Sequence, residues 1–199
     1  MTSIFRQLPP ECTPELTIME RYILLKNGDY IIPGGDTIET IKYSIDTLEA
    51  KDYLRYEFNF STGQAGFIAF ELKSFRTTDG RRFIIFSRCG GMNRAYDQQD
   101  IKIYELKNNI LIENSKQKLL PLTINITSFL KKETPDTIKT KIEQSVSGCY
   151  DLKPETTNEI EFGIFPQYPL YNDDQWILGY TIVFTWTGST FDRKIMTEK

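Results

Sequence analysis

From Leu54 the chain alternates with period two: Leu54, Tyr56, Phe58 and Phe60 are apolar, and Arg55, Glu57 and Asn59 are polar. That spacing puts successive side chains on opposite faces of an extended strand and does not fit the one-sided stripe of a helix. Further runs of the same kind follow and restrict the chain to a sheet architecture. Residues 67–75 and 83–87 flank Thr77-Thr78-Asp79-Gly80, where Asp-Gly suits the positive backbone angles of a tight hairpin. Residues 101–106 meet 110–112 across Asn108-Asn109, and asparagine tolerates the left-handed conformation. Ser61-Thr62-Gly63-Gln64 reads as another turn. The pattern resumes at 160–165, at 177–186 and around Phe191, with Thr187-Gly188-Ser189 closing a last hairpin on which Trp186 and Phe191 pack as a pair.

Helical spacing is rarer. Residues 135–147 carry Thr134 as a cap, Pro135 at the first position, Gly148 as a left-handed stop and an apolar stripe of Ile138, Ile142 and Val146. Asp36 and Glu39 form a capping pair ahead of Ile38, Ile41, Ile45 and Leu48, which predicts a second helix, although its β-branched residues oppose it. Ahead of that, 22–25 and 30–35 read as a hairpin around Asn27-Gly28-Asp29. Residues 1–20 are read as an N-terminal extension and 21–199 as a single domain. The expected fold is a β-rich α+β domain, mainly antiparallel, with one or two covering helices. A two-sheet sandwich is favoured over one flat sheet, because about nine strands curl or split.

At 199 residues and 40% hydrophobic content the chain can bury an ample core without covalent support. A formal net charge of -3 argues against nucleic acid as a partner. No apolar run approaches the roughly 18 residues of a membrane span. The opening residues lack a secretory signal, so the cytoplasm is the default compartment, with an exported or periplasmic location if an upstream signal was removed. Three cysteines cannot pair completely, and Cys12, Cys89 and Cys149 are read first as reduced thiols; a Cys89–Cys149 bridge is the exported alternative. Oligomeric state is not legible.

The chain contains no histidine, which removes the commonest general base and metal ligand and the middle member of most nucleophile triads. No metal site and no cofactor are predicted, and no catalytic residue stands out. Arg88-Cys89-Gly90-Gly91-Met92-Asn93-Arg94 reads as a glycine-containing loop after an apolar strand. Its cations would depress the Cys89 thiol pKa, but the arginine of a cysteine phosphatase loop would fall at Ala95, so packing is the favoured role for Cys89. Arg88 and Arg94, with free backbone donors of Gly90 and Gly91, are candidate ligands for a carboxylate, a phosphate or an acidic protein surface. They belong to a cationic cluster with Lys73, Arg76, Arg81 and Arg82 that a solvated strand face would also explain. Asp97 and Asp100 around Gln98-Gln99, and Asn172-Asp173-Asp174, are weak calcium candidates. Glu57, Glu71, Glu161 and Asp192 are read as acids on a wet sheet face. Tyr168, Tyr171 and Trp176 are the aromatic candidates for contact with a ligand. The leading functional expectation is a non-enzymatic ligand- or protein-binding module. The alternatives are a carboxylate-based hydrolase and a structural or assembly subunit.

Overall fold

The period-two ribbons pair as their spacing requires. A computed structural model describes residues 1–32, 41–60, 66–92, 95–114, 119–166 and 171–197. Helices α1 (Thr2–Gln7) and α2 (Ile18–Asn27) precede strands β1 (Asp29–Ile32), β2 (Ile41–Leu48), β3 (Tyr53–Phe60), β4 (Gly66–Arg76), β5 (Arg82–Met92), β6 (Ala95–Lys107) and β7 (Ile110–Glu113). Helix α3 (Asp136–Ser145) leads into β8 (Val146–Asp151), β9 (Glu159–Pro166), β10 (Thr181–Trp186) and β11 (Phe191–Met196). The first seven strands form one antiparallel meander in sequence order, and the last four form a second sheet in the order β11-β10-β9-β8. The fold is thus α+β and mostly antiparallel. Asn108 and Asn109 both adopt positive φ, 50° and 62°, in the β6–β7 turn, as the asparagine pair predicts.

Register decides which face each residue takes. Leu54 pairs with Leu72 and Leu72 with Phe86, so these join Tyr56, Phe70, Ile84 and Tyr104 on one face of the larger sheet. Tyr53, Phe75, Phe83, Ile85, Ile101 and Ile103 take the other face, against Tyr150, Ile160, Phe162, Ile182 and Phe184 of the smaller sheet. Both faces of the central strands are therefore covered. Glu71 is the acid that this overturns: read as a wet-face residue, it is 5% exposed and lies between the sheets.

The second cover is the N-terminal segment, read from sequence as an extension followed by a hairpin. Residues 22–25 are helical instead. Thr17 Oγ1 accepts from the Glu20 amide at 3.3 Å and Glu20 Oε2 accepts from the Thr17 amide at 2.7 Å, a reciprocal cap that starts α2. Gly28 ends it with φ 81°. Ile18 and Met19 remain exposed, so an apolar stripe gives little sign of the helix. Arg21, 1% exposed, donates to the carbonyl oxygens of Leu8 at 2.5 Å and Pro9 at 3.4 Å, tying α2 to α1. Ile4, Phe5, Leu8, Cys12, Leu16 and Leu24 then bury against the sheet, each contributing up to about 1.5–3 kcal/mol before chain entropy is charged.

The helix predicted from Asp36 is also corrected: 41–48 form β2, paired with β3 through Ser44↔Glu57. Its β-branched residues suit a pleated partner better than a helix. The capping pair at Asp36 and Glu39 lies outside the described residues, as does the turn read at Ser61 to Gln64. Helix α3 forms within the predicted span, with Ile142 fully buried, but Pro135 is its N-cap and Thr134 Oγ1 donates to the Lys131 carbonyl at 2.7 Å instead of capping it. It stops at Ser145 rather than at Gly148, because Val146 to Asp151 are recruited into β8 against β9. Trp186 and Phe191 do pack, with ring centroids 4.9 Å apart. Phe75 joins them at 4.9 Å from Phe191, and Trp186 Nε1 donates to the Arg76 carbonyl at 2.8 Å. No helix among the described residues is long and apolar enough to cross a membrane.

Candidate functional site

Strand β8 is an edge strand, yet much of its open side is satisfied by side chains of the larger sheet. The Tyr150 amide donates to Gln98 Oε1 at 2.7 Å; the Tyr150 carbonyl accepts from Ser87 Oγ at 3.4 Å. Past the end of the strand, the Leu152 amide donates to Glu71 Oε2 at 3.1 Å and the Leu152 carbonyl accepts from Lys73 Nζ at 2.7 Å. Four polar side chains thus stand in for a missing neighbouring strand, as buried backbone groups require.

Lys73 is 0% exposed and its ammonium also donates to the carbonyls of Lys153 and Glu159, each at 2.7 Å. Burial pulls its pKa down to about 8, against the opposing pull of Glu155, Asp151, Glu71 and Glu159. Burial raises the Glu71 carboxyl; Tyr53 OH donates to it at 2.5 Å and Arg55 lies 3.5 Å away. This network closes on itself and the loop after β8, and its polar atoms are used in holding the two sheets together.

Gln98 takes its position from a β-bulge. Arg88 pairs with Asp100 but Cys89 pairs with Gln98, leaving Gln99 as the extra residue. The Gln98 amide nitrogen reaches Ser87 Oγ at 3.1 Å and the carbonyls of Arg88 at 3.0 Å and Asp100 at 2.6 Å. Beside the bulge, Cys89 and Cys149 form a disulfide with Cα atoms 6.0 Å apart, joining β5 to β8. This corrects the expectation of three reduced thiols. Only Cys12 is free, buried with Sγ 3.0 Å from Tyr104 OH.

Where β8 and β6 diverge beyond these ties, a cleft of about 570 Å³ opens, within the range of small-ligand sites. Asp97, Gln99 and Asp100 from the bulge line one side, Ile124 from the loop before α3 another, and Gly148 and Phe162 the smaller sheet's side. Gly148 pairs with Ile164, whose amide is turned away to the Tyr180 carbonyl at 2.9 Å. The Gly148–Ile164 pair is therefore the non-bonded kind, and the Gly148 N–H and C=O point out of the sheet edge. Among the described residues nothing pairs with them. A side chain at that position would place Cβ 2.7 Å from the Gly163 oxygen and 2.8 Å from the Phe162 ring, so the position is held as glycine.

The residues singled out from sequence are scattered. Gly90 and Gly91 lie within β5, paired on one side with Ile68 and Phe67 and on the other with Asp97 and Tyr96; they are strand, not loop, and their donors serve the ladder. Arg88 is on the helix-covered face, bonded to Glu15 at 2.8 Å and lying over the Phe70 ring at 5.2 Å. Trp176 packs against the core between the sheets, on the opposite side of the larger sheet from Arg88. Arg94 and Tyr168 lie outside the described residues, and for Tyr171 only the backbone, in a short 3-10 turn, is described. The cationic cluster is divided: Arg76 and Arg82 share Asp52, Arg81 pairs with Asp79, and Lys73 sits in its carbonyl cage. Asp173 is paired with Lys141. Among the described residues no group of three or more Cys, Asp or Glu gathers as a metal site. Gln98, Gly148 and the 122–126 loop were not legible as site residues; the only sequence sign was the pair of acids at Asp97 and Asp100.

The chain is thus an antiparallel two-sheet α+β protein with helices against the outer face of its larger sheet and a partly apolar cleft at the edge of its smaller one. No protein-family model, curated protein or solved structure matches it significantly.

Proposed function

We propose that this chain is a binding module and that the cleft between the β6 bulge, the 122–126 loop and the start of β8 is its ligand seat. The observation that carries the reading is the lining: the bulge residues Gln98 and Gln99 stand beside an apolar floor that includes Val146 and Phe162, 7% and 5% exposed, and beside a backbone edge with no partner among the described residues. A few placed polar groups over apolar surface are what small-ligand and peptide sites share. The anion reading of Arg88, Gly90 and Gly91 has less support, because Arg88 is matched by Glu15 and the glycine donors serve the sheet. The lining suits a small ligand with an apolar body and a neutral hydrogen-bonding head. A Cys89–Cys149 bridge supports work in an oxidising compartment, since reducing cytosol opens such bonds.

The test is titration of isotopically labelled protein with n-butyramide. It is expected to shift amide resonances of Gln99, Thr123 and Gly148. No response there, or shifts confined to the Arg88 side of the sheet, would overturn this seat.

A further inference from the structure

We propose that two copies of this chain pair edge to edge through β7, joining their larger sheets into one antiparallel sheet about a two-fold axis at Ile112. The β6–β7 hairpin fixes which backbone groups are free. Lys107 pairs with Ile110 across the Asn108-Asn109 turn, and the Asn114 amide donates to the Ile103 carbonyl at 2.8 Å. Bonded pairs alternate between these two, so Ile112 bonds to Glu105, while Leu111 and Glu113 sit opposite Leu106 and Tyr104 in non-bonded pairs. The N–H and C=O groups of Leu111 and Glu113 therefore point away from β6. Among the described residues nothing meets them.

Leu111 turns with Leu106 toward the helix-covered core. Ile110 and Ile112 take the opposite face, that of Glu105, and stay 61% and 46% exposed. Sheet edges in water are guarded by charge, proline, a bulge or covering side chains. Strand β11 carries exposed Asp192, Arg193 and Lys194, and β8 is met at Tyr150 by Gln98 and Ser87. Along Ile110, Leu111 and Ile112 none of these guards is present.

A second copy fits this edge because β7 is complementary to itself. With the axis at Ile112, Leu111 lies opposite Glu113 of the second copy, and Glu113 opposite its Leu111. Both pairs are of the bonded kind, so every outward group of Leu111 and Glu113 is met. Ile112 then faces its own counterpart in a non-bonded pair, where side chains approach most closely. The two Glu113 carboxylates stay apart, each beside a leucine. So short a contact buries well under the roughly 1,200 Å² of a stable complex, which makes the dimer weak, half formed on the order of 0.1 mM. The cleft uses β6 at residues 97–101 and β7 pairs with it at 104–107, so the two surfaces are separate.

The test is translational diffusion of the full chain by NMR from about 10 µM to about 1 mM, with hydrogen exchange read on the same samples. Diffusion is expected to slow toward that of a dimer, and the Leu111 and Glu113 amides should become protected only at high concentration. Ile112→Lys sets two ammonium groups against each other at the axis and should weaken association about tenfold or more. Because Ile112 is half-exposed, the unfolding midpoint should hold; if it falls, Ile112→Thr, which keeps the β-branch, should weaken association several-fold. In samples mixing labelled and unlabelled chains, Ile112 methyls of the two copies should be in contact. A monomer at about 1 mM overturns the proposal. So does a dimer that both Ile112 variants leave intact, or protection confined to another surface, such as exposed Ile18 and Met19 of α2.

Discussion

Replacing Lys73 with methionine keeps most of the aliphatic stem and removes only the ammonium. Three carbonyls at 2.7 Å, from Leu152, Lys153 and Glu159, lose their donor. Hydrogen bonds to a charged group contribute about 1.5–3 kcal/mol each. Against that, holding the ammonium out of water, reflected in a pKa drawn from 10.5 to about 8, costs about 3 kcal/mol. The net expectation for Lys73→Met is a loss of about 3 kcal/mol, read by urea unfolding with circular dichroism. The pH dependence has a fixed sign. The folded pKa lies below the unfolded one, so between about pH 8 and 10.5 the unfolded chain binds more protons, and wild-type stability should rise relative to Lys73→Met across that window. A loss under about 1 kcal/mol would refute the role of the carbonyl cage. A difference that stays flat or falls with pH would show that the carbonyls hold the ammonium fully charged and that burial does not dominate.

Gln98→Ala removes the acceptor of the Tyr150 amide and leaves that buried donor unmet, an expected cost of about 1–3 kcal/mol; hydrogen exchange at Tyr150 should accelerate while exchange in β4 changes only with global stability. Opening the Cys89–Cys149 bond releases a loop with a sequence separation of 60, worth about 4 kcal/mol in the chain-entropy account, so the alanine double variant should unfold at lower urea. Titration of the denatured, unreduced protein should find one thiol, Cys12; three would refute the bridge.

Much of the larger sheet was readable because its information is local. The alternation of Leu54 to Phe60, the Asp79-Gly80 turn and the Asn108-Asn109 turn each act within a few residues and survive folding unchanged. The N-terminal cover was not readable in the same way: α2 exposes Ile18 and Met19, and its reciprocal cap was masked by a turn signal at Asn27-Gly28 that serves as a helix stop. The helix spacing of Ile41, Ile45 and Leu48 was equally misleading, since a strand partner at β3 outweighed it.

The site belongs to the other category. Asp97, the 122–126 loop and Gly148 meet only because the two sheets pack and then diverge past Gln98. Charge was reassigned by the same contacts, with Arg88 drawn to Glu15 from 73 residues away. By itself the sequence determined that antiparallel ribbons would form, where most of them turn, and that imidazole chemistry is absent, because those depend on spacing and residue type. Tertiary structure decided which cations are neutralised, which glycine keeps an open edge and where a cleft lies, because electrostatics and backbone satisfaction are settled between segments that chain order leaves far apart.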